Sequence, residues 1–196
     1  MTEIILAIVV GGAFGFTLDR IGATNPGYII RMLNLSDLHL MRTIFIGIGV
    51  GSVALFAGLL TGIVDPGHMS VKAAYAGVFI GGLMLGAGFA VAGYCPGTGL
   101  TALATGRKDA LFFVIGGLLG AAAYMLSFEG FANTSLLTAI AGGKATLGEI
   151  AGTKYPALLD GVAGEWIGLA LGAAFIVIGL VLPGRLLGRA APAAAE

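Results

Sequence analysis

The sequence predicts an all-α integral membrane protein: about five transmembrane helices plus two short broken or re-entrant helices in an internal repeat. Three observations predict it. Mean hydropathy is +1.01 and only 10% of residues are charged, where a soluble domain carries about 25%. No Asp, Glu, Lys or Arg occurs from Ala73 to Gly106, a run longer than the roughly 20 residues one helix needs to cross a bilayer. Near its centre the run is broken by Cys95-Pro96-Gly97, so it reads as helix, break, helix. Broken backbone at membrane depth is tolerated only where protein buries it or where it lines a cavity.

The elements follow in order. Ile4–Leu18 is a first apolar segment bounded by Asp19 and Arg20. Met1-Thr2-Glu3 lacks the positive region of a secretory signal, so this segment is expected to be retained. Pro26–Leu35 is too short to cross alone and has Pro at a favourable first helical position. Thr43–Val64 is the second long segment, closed by Asp65-Pro66-Gly67, and Ala73–Ala92 is the third. Pro96–Gly106 is the second short piece; each short piece reads as a re-entrant half-helix or an interfacial helix. Ala110–Phe128 is the fourth span. Residues 129–165 read as a membrane-surface excursion with short helices near Asn133–Ile140 and from Thr146, where Thr146-Leu-Gly-Glu149 has capping-box spacing. Trp166–Leu182 is the fifth span, with Trp166 at one interface and Pro183-Gly184-Arg185 closing the other. Residues 1–189 thus form a single transmembrane domain and 190–196 a frayed tail.

An internal repeat organises this domain. Gly11-Gly-Ala-Phe-Gly15, Arg20, Gly22 and Asn25-Pro26-Gly27 parallel Gly82-Leu-Met-Leu-Gly86 and Gly93-Tyr94-Cys95-Pro96-Gly97, with one residue skipped between Gly22 and Pro26. Gly47 and Gly51 align with Gly116 and Gly120. The unit, over about 4–64 and 73–128, is helix, Pro-Gly break, short helix, long helix. Paired broken helices in a repeat are a sequence pointer to a transporter site. Gly supplies 35 of 196 residues, with four-residue spacings at Gly11/Gly15, Gly47/Gly51, Gly77/Gly81, Gly82/Gly86, Gly116/Gly120 and Gly168/Gly172. Such spacing brings membrane helices close and needs no cofactor loop to explain it.

Composition excludes several classes. Net charge is zero, with no basic arm, zinc spacing or P-loop, so no nucleic acid and no cofactor is expected; the bilayer is the expected partner. One cysteine excludes an internal disulfide and any cysteine-only metal cluster. The methionines are scattered and form no metal relay. If each long segment crosses once, Arg20, Arg31, Arg42, Arg107, Lys108, Arg185 and Arg189 share a side opposite Lys72, Lys144 and Lys154. Positive-inside counting places the first group in the cytoplasm.

The two breaks carry the chemistry. A helix starting at Pro96 offers the backbone N–H groups of Gly97, Thr98 and Gly99, which with the helix dipole make an anion site. Gly93 sits in the break before it, Thr98 adds a hydroxyl and Cys95 a soft sulfur. The first break offers the same arrangement with Asn25 in place of the thiol: Pro26, then the N–H groups of Gly27 and Tyr28. A dipole-lined pore without a full charge binds an anion weakly enough to release it. Two readings of Cys95 stand together: a small buried hydrophobe, and a contact selecting a sulfur-bearing ligand. Arg20 has two as well: an anion attractor, and an interfacial residue paired with Asp19.

At these residues the chain resembles the YeeE/YedE-like sulfur-transport family of bacterial membrane proteins, over most of Ile4–Pro183. Gly11 through Pro26 and Gly82 through Gly93-Tyr-Cys95-Pro96-Gly97-Thr98-Gly99 carry the resemblance. It implies thiosulfate uptake across the inner membrane, with Cys95 matching one of a line of cysteines and Asn25 standing near where long members carry another. The chain is shorter and has no third cysteine, so either one thiol suffices or a second subunit, a homo-oligomer partner or another family member, completes the pathway. The expected function is therefore transport of thiosulfate or a related small sulfur anion. The alternative is a non-transporting membrane subunit that completes a pathway with a partner. An enzyme using Cys95 as nucleophile is disfavoured, because the sequence around it supplies only backbone dipoles.

Overall fold

Long runs of residues that are apolar on every side wind into helices that suit a bilayer rather than a water-facing surface. The computed structural model describes residues 2–140, 143–150, 152–153 and 155–186. Five stretches are long and apolar enough to span: α1 (Thr2–Arg20), α3 (His39–Leu60), the 29-residue stretch Ala76–Ala104, α6 (Lys108–Ala132) and α7 (Gly164–Val181). The third is divided into α4 (Ala76–Ala92) and α5 (Pro96–Ala104). The short α2 (Pro26–Leu33) lies between α1 and α3. The architecture is that of a mostly helical, multi-pass membrane protein. A long, a short and a long helix follow one another twice, as α1–α2–α3 and as α4–α5–α6.

The surface excursion departs from an all-α fold. Thr146 does not start a helix; β1 (Thr146–Glu149) pairs in parallel with β2 (Ala157–Ala163), in register Thr146↔Ala157 and Gly148↔Leu159 with a slip before Glu149↔Ala163. The Thr146 N–H donates to the Pro156 carbonyl at 3.0 Å, so strand pairing takes the residue that capping-box spacing assigned to a helix. Gly148 lies flat against the start of α7, where a Cβ would come 2.9 Å from Gly164 Cα. In place of a helix over 133–140 there is one 3-10 turn, Ser135–Leu137, and an isolated bridge from Tyr75 to Ala139. Helices α6 and α7 start earlier than hydropathy alone indicates, because Asp109 and Glu165 suit a first helical turn. The tail 190–196, Arg189 and Lys154 lie outside the described residues.

The described residues form two compact units: residues up to 40 with 84–128 and those from 183, and residues 41–83 with 129–182. In the second unit α3 packs on α7 through glycine. A Cβ at Gly172 would meet Val53 and Ser52, and one at Gly179 would meet Ile46. The Ser52 hydroxyl donates to the Gly168 carbonyl at 3.0 Å, Arg42 Nε to the Gly179 carbonyl at 3.2 Å, and Phe45 stacks on Phe175. The glycine of α3 used here is Gly49, not Gly47 or Gly51, beside which a Cβ would meet nothing. Residues 42, 46, 49, 53 and 56 share one helical face, and 47 and 51 point elsewhere.

In the first unit the core gathers at the helix breaks. Its buried residues other than glycine are Ala23, Thr24, Ile29, Met32, Leu38, Leu40, Tyr94, Thr98, Ala102 and Ala110, whereas the other unit buries Ile150 and a row of glycines that includes Gly164, Gly168, Gly172 and Gly179 of α7. The long helices meanwhile expose Ile, Leu, Val and Phe along their length. In the first unit the buried side chains lie at and beside the irregular backbone, which a lipid environment tolerates only where protein covers it.

Candidate functional site

Both breaks are made by the same local grammar. Gly22 (φ 77°) and Gly93 (φ 69°) leave α1 and α4 in the left-handed conformation that ends helices and that favours glycine. An extended residue follows as N-cap, Asn25 or Cys95, and then Pro at the first position of the new helix. Asn25 Oδ1 accepts from the Gly27 N–H at 2.9 Å, and the Asn25 carbonyl from the Tyr28 N–H at 3.1 Å. Cys95 forms a full capping box: Sγ accepts from the Thr98 N–H at 3.3 Å, and Thr98 Oγ1 accepts from the Cys95 N–H at 2.9 Å. The single hydroxyl hydrogen of Thr98 has Cys95 Sγ and the Cys95 carbonyl both at 3.2 Å.

The two breaks meet. A Cβ on Gly93 would lie 2.7 Å from Pro26 Cβ and 3.2 Å from the Pro26 carbonyl oxygen. The second break thus rests directly on the first, and only a residue without a side chain fits there. Tyr28, one turn into α2, closes the other side by lying on Gly22, where a Cβ would sit 3.3 Å from its ring.

This geometry changes the expected donor set. The N–H groups of Thr98 and Gly99 are not open, because Cys95 Sγ and the Cys95 carbonyl take them. Those of Gly27 and Tyr28 are likewise held by Asn25. Gly99 is buried with Phe113 against it, in the space a Cβ would need, so its role is packing. Gly97 differs: its N–H has no protein acceptor among the described residues, and nothing occupies the space beside it. Pro96 is exposed, while Cys95 and Gly97 are half-buried. Arg20 is exposed with its guanidinium 5.1 Å from the Phe16 ring centroid. The expected Arg20–Asp19 pair is replaced by a bond from the Thr24 hydroxyl to Asp19 Oδ1 at 2.8 Å.

A neighbouring cluster was not anticipated. Tyr94, 2% exposed, donates its hydroxyl hydrogen to Asp109 Oδ2 at 2.7 Å. Arg107 Nε donates to the Tyr94 hydroxyl at 2.9 Å, and Arg107 Nη2 to Asp109 Oδ2 at 3.0 Å. The bond to the Asp109 carboxylate holds the Arg107 guanidinium above its ordinary pKa. The Tyr94 ring tilts against Phe113 at 5.6 Å between centroids. This cluster ties the residue before Cys95 to the start of α6. Its only sequence trace is a lone Tyr before a charged Arg-Lys-Asp turn, which carries no pairing signal.

A cavity of about 470 Å³ lies between α1 and α5, lined among others by Gly11, Gly12, Gly15, Asp19, Thr101 and Thr105. Thr101 Oγ1 donates to the Gly97 carbonyl at 3.0 Å, so this cavity and the first turn of α5 share a residue. The described residues hold no cluster of three or more His, Cys, Asp or Glu able to bind a metal.

Two helix breaks of the same local form, in contact at Gly93 and Pro26, lie within a mostly helical chain that has five helices long and apolar enough to span a membrane. The chain belongs to DUF6691, a family of unknown function, whose pattern matches residues 2–136. The matched region takes in both copies of the repeat and stops before the sheet and α7. No curated protein and no solved structure matches the chain.

Proposed function

We propose that the protein transports thiosulfate or a related small sulfur-containing anion across the bacterial inner membrane, with Cys95 as the sulfur-facing contact. The observation that carries this reading is the packing of Gly93 on Pro26, which brings the two repeated helix breaks together beside the chain's one thiol. The resemblance to the YeeE/YedE-like family supports the choice of ion. Because Cys95 Sγ accepts from Thr98, its own S–H hydrogen is the group left to donate, and with the Gly97 N–H it supplies two donors to an oxyanion. The polarizable sulfur adds a contact to a sulfane sulfur. Asn25, Pro26 and Gly27 shape the opposite side, and Arg20 attracts the anion toward the cytoplasmic mouth. The orientation follows from Arg20, Arg31, Arg42, Arg107, Lys108 and Arg185 lying inside.

Thiosulfate uptake in cells lacking their own uptake system tests it, comparing the parent with Cys95→Ser. Uptake by the parent and loss in the variant is expected. Equal uptake by both removes Cys95 from the mechanism.

A second reading is a non-transporting subunit that completes a pathway with a partner or a second copy. It is favoured by glycines with open space beside them: Gly11, Gly12, Gly81, Gly82, Gly86, Gly116 and Gly120. Uptake by the protein alone in liposomes defeats it.

A further inference from the structure

We propose that the cavity between α3 and α7 is a lipid site that holds one acyl chain of a phospholipid from the surrounding bilayer. The cavity lies within the second unit and has a volume of about 280 Å³. Ile48, Ser52 and Phe56 of α3 wall one side, and Ile167, Leu171 and Phe175 of α7 the other. Met69 and β1, outside the spans, close one end.

The walls are fixed and do not fall together. The two helices are held on each other by Gly172 against Val53 and Ser52, and by Gly179 against Ile46. Phe56 lies against Gly168, and Phe175 stacks on Phe45. The cavity is also a poor place for water. Ser52 spends its hydroxyl hydrogen on the Gly168 carbonyl at 3.0 Å, and the Thr146 N–H at the closed end donates to Pro156. A buried water needs roughly two to four polar partners, which these walls do not offer. Left empty, the gap forfeits the dispersion contacts of its lining. An apolar occupant restores them.

The dimensions select a hydrocarbon chain over a helix. Ile48 to Phe56 and Ile167 to Phe175 each run about 12 Å along their helices, close to the roughly 15 Å of hydrocarbon in one leaflet. The volume over that length leaves a mean cross-section of about 23 Å², against about 80 Å² for a helix roughly 10 Å across. One extended chain fits; a helix from a second copy does not. Access is lateral, because Ile48 is 52% and Leu171 46% exposed on spans that the bilayer surrounds. The inference stands apart from the transport reading, since no residue of either helix break takes part.

The test uses the full chain purified in mild detergent, freed of lipid by prolonged exchange and then given dioleoylphosphatidylcholine. Native mass spectrometry counts the lipids retained and the copies of the chain. One tightly held lipid per chain is expected in the parent. Ile48→Trp and Leu171→Phe, one on each wall, put bulk where the chain lies. Each is expected to weaken retention about tenfold or more, the equivalent of about two buried methylenes. Val50→Trp, on an exposed face of α3 outside the cavity, should retain lipid as the parent does. Equal retention in the parent and both wall variants overturns the proposal, as does a lipid-free parent; a lipid-free dimer assigns the gap to a second copy. If neither wall variant folds, photolabelling of the parent decides, with a phosphatidylcholine carrying a diazirine in its acyl chain. At one lipid per chain, label is expected on α3 and α7 around the cavity in preference to α1, which is apolar and exposed throughout. Label on α1 equal to that on α3 and α7 overturns the proposal.

Discussion

Gly93 lies so close to Pro26 that a Cβ on the glycine would sit 2.7 Å from the Cβ of the proline. The contact joins the start of one repeat's short helix to the end of the other repeat's long helix. It makes the discontinuity in each copy a support for the other. Gly93 also has φ 69°, so a side chain there meets both backbone strain and collision. Gly93→Ala is expected to destabilise by roughly 1–3 kcal/mol, read as a lower melting temperature in detergent. Gly97→Ala, with open space beside it, is the control and should melt within about 0.5 kcal/mol of the parent. Parent-like melting of both variants would mean that the contact contributes nothing to stability.

Cys95 has a structural task separable from any ligand. As N-cap its sulfur holds the Thr98 N–H, a task that a serine hydroxyl performs at least as well. Cys95→Ser should therefore retain the parent's stability, while Cys95→Ala loses about 1 kcal/mol. Thermal unfolding distinguishes them. If uptake fails equally in both variants while only Ala melts early, the lost uptake is due to the sulfur and not to the cap.

Tyr94 anchors the break to α6 through its hydroxyl. Tyr94→Phe leaves Asp109 and Arg107 paired but removes the bonds at 2.7 and 2.9 Å, for an expected loss of about 1 kcal/mol. The Arg107–Asp109 pair is more exposed, at 39% and 48%, so Arg107→Gln should cost at most about 1 kcal/mol and matter less at high salt. A larger loss in Arg107→Gln than in Tyr94→Phe would reverse the assigned order.

The close approach of α3 and α7 depends on glycine. At Gly168 a Cβ would enter the Phe56 ring, and at Gly172 it would lie 2.9 Å from Val53. Gly168→Leu is expected to prevent a monodisperse protein on size exclusion in detergent. Gly47→Leu, facing open space, should elute as the parent does. Identical profiles for the two would remove the glycine contact from the packing.

Much of this fold was legible in the chain. Hydropathy located the five spans because a bilayer demands apolar length, and that demand is local in sequence. The repeat and both Pro-Gly breaks were legible because Gly, an N-cap residue and Pro each impose a backbone conformation on their own neighbourhood. Pairwise partners were not legible. Thr146 had the spacing of a helix start, but the strand that begins at Ala157 offered it a partner. Among the four-residue glycine pairs, Gly168 and Gly172 pack tightly, while nothing in sequence singled out Gly49 over Gly47 and Gly51. Of the three open N–H groups expected at α5, that of Thr98 is taken by Cys95 Sγ and that of Gly99 by the Cys95 carbonyl, leaving Gly97.

By itself the sequence determined a multi-pass helical membrane protein with two matching discontinuities, since those properties depend on composition and nearest neighbours. Only the tertiary structure decided that the discontinuities rest on one another at Gly93 and Pro26, that Tyr94 reaches Asp109, and that α3 and α7 leave an apolar cavity between them. Each depends on residues outside the local stretch of chain, brought to their places by how helices pack once they have formed.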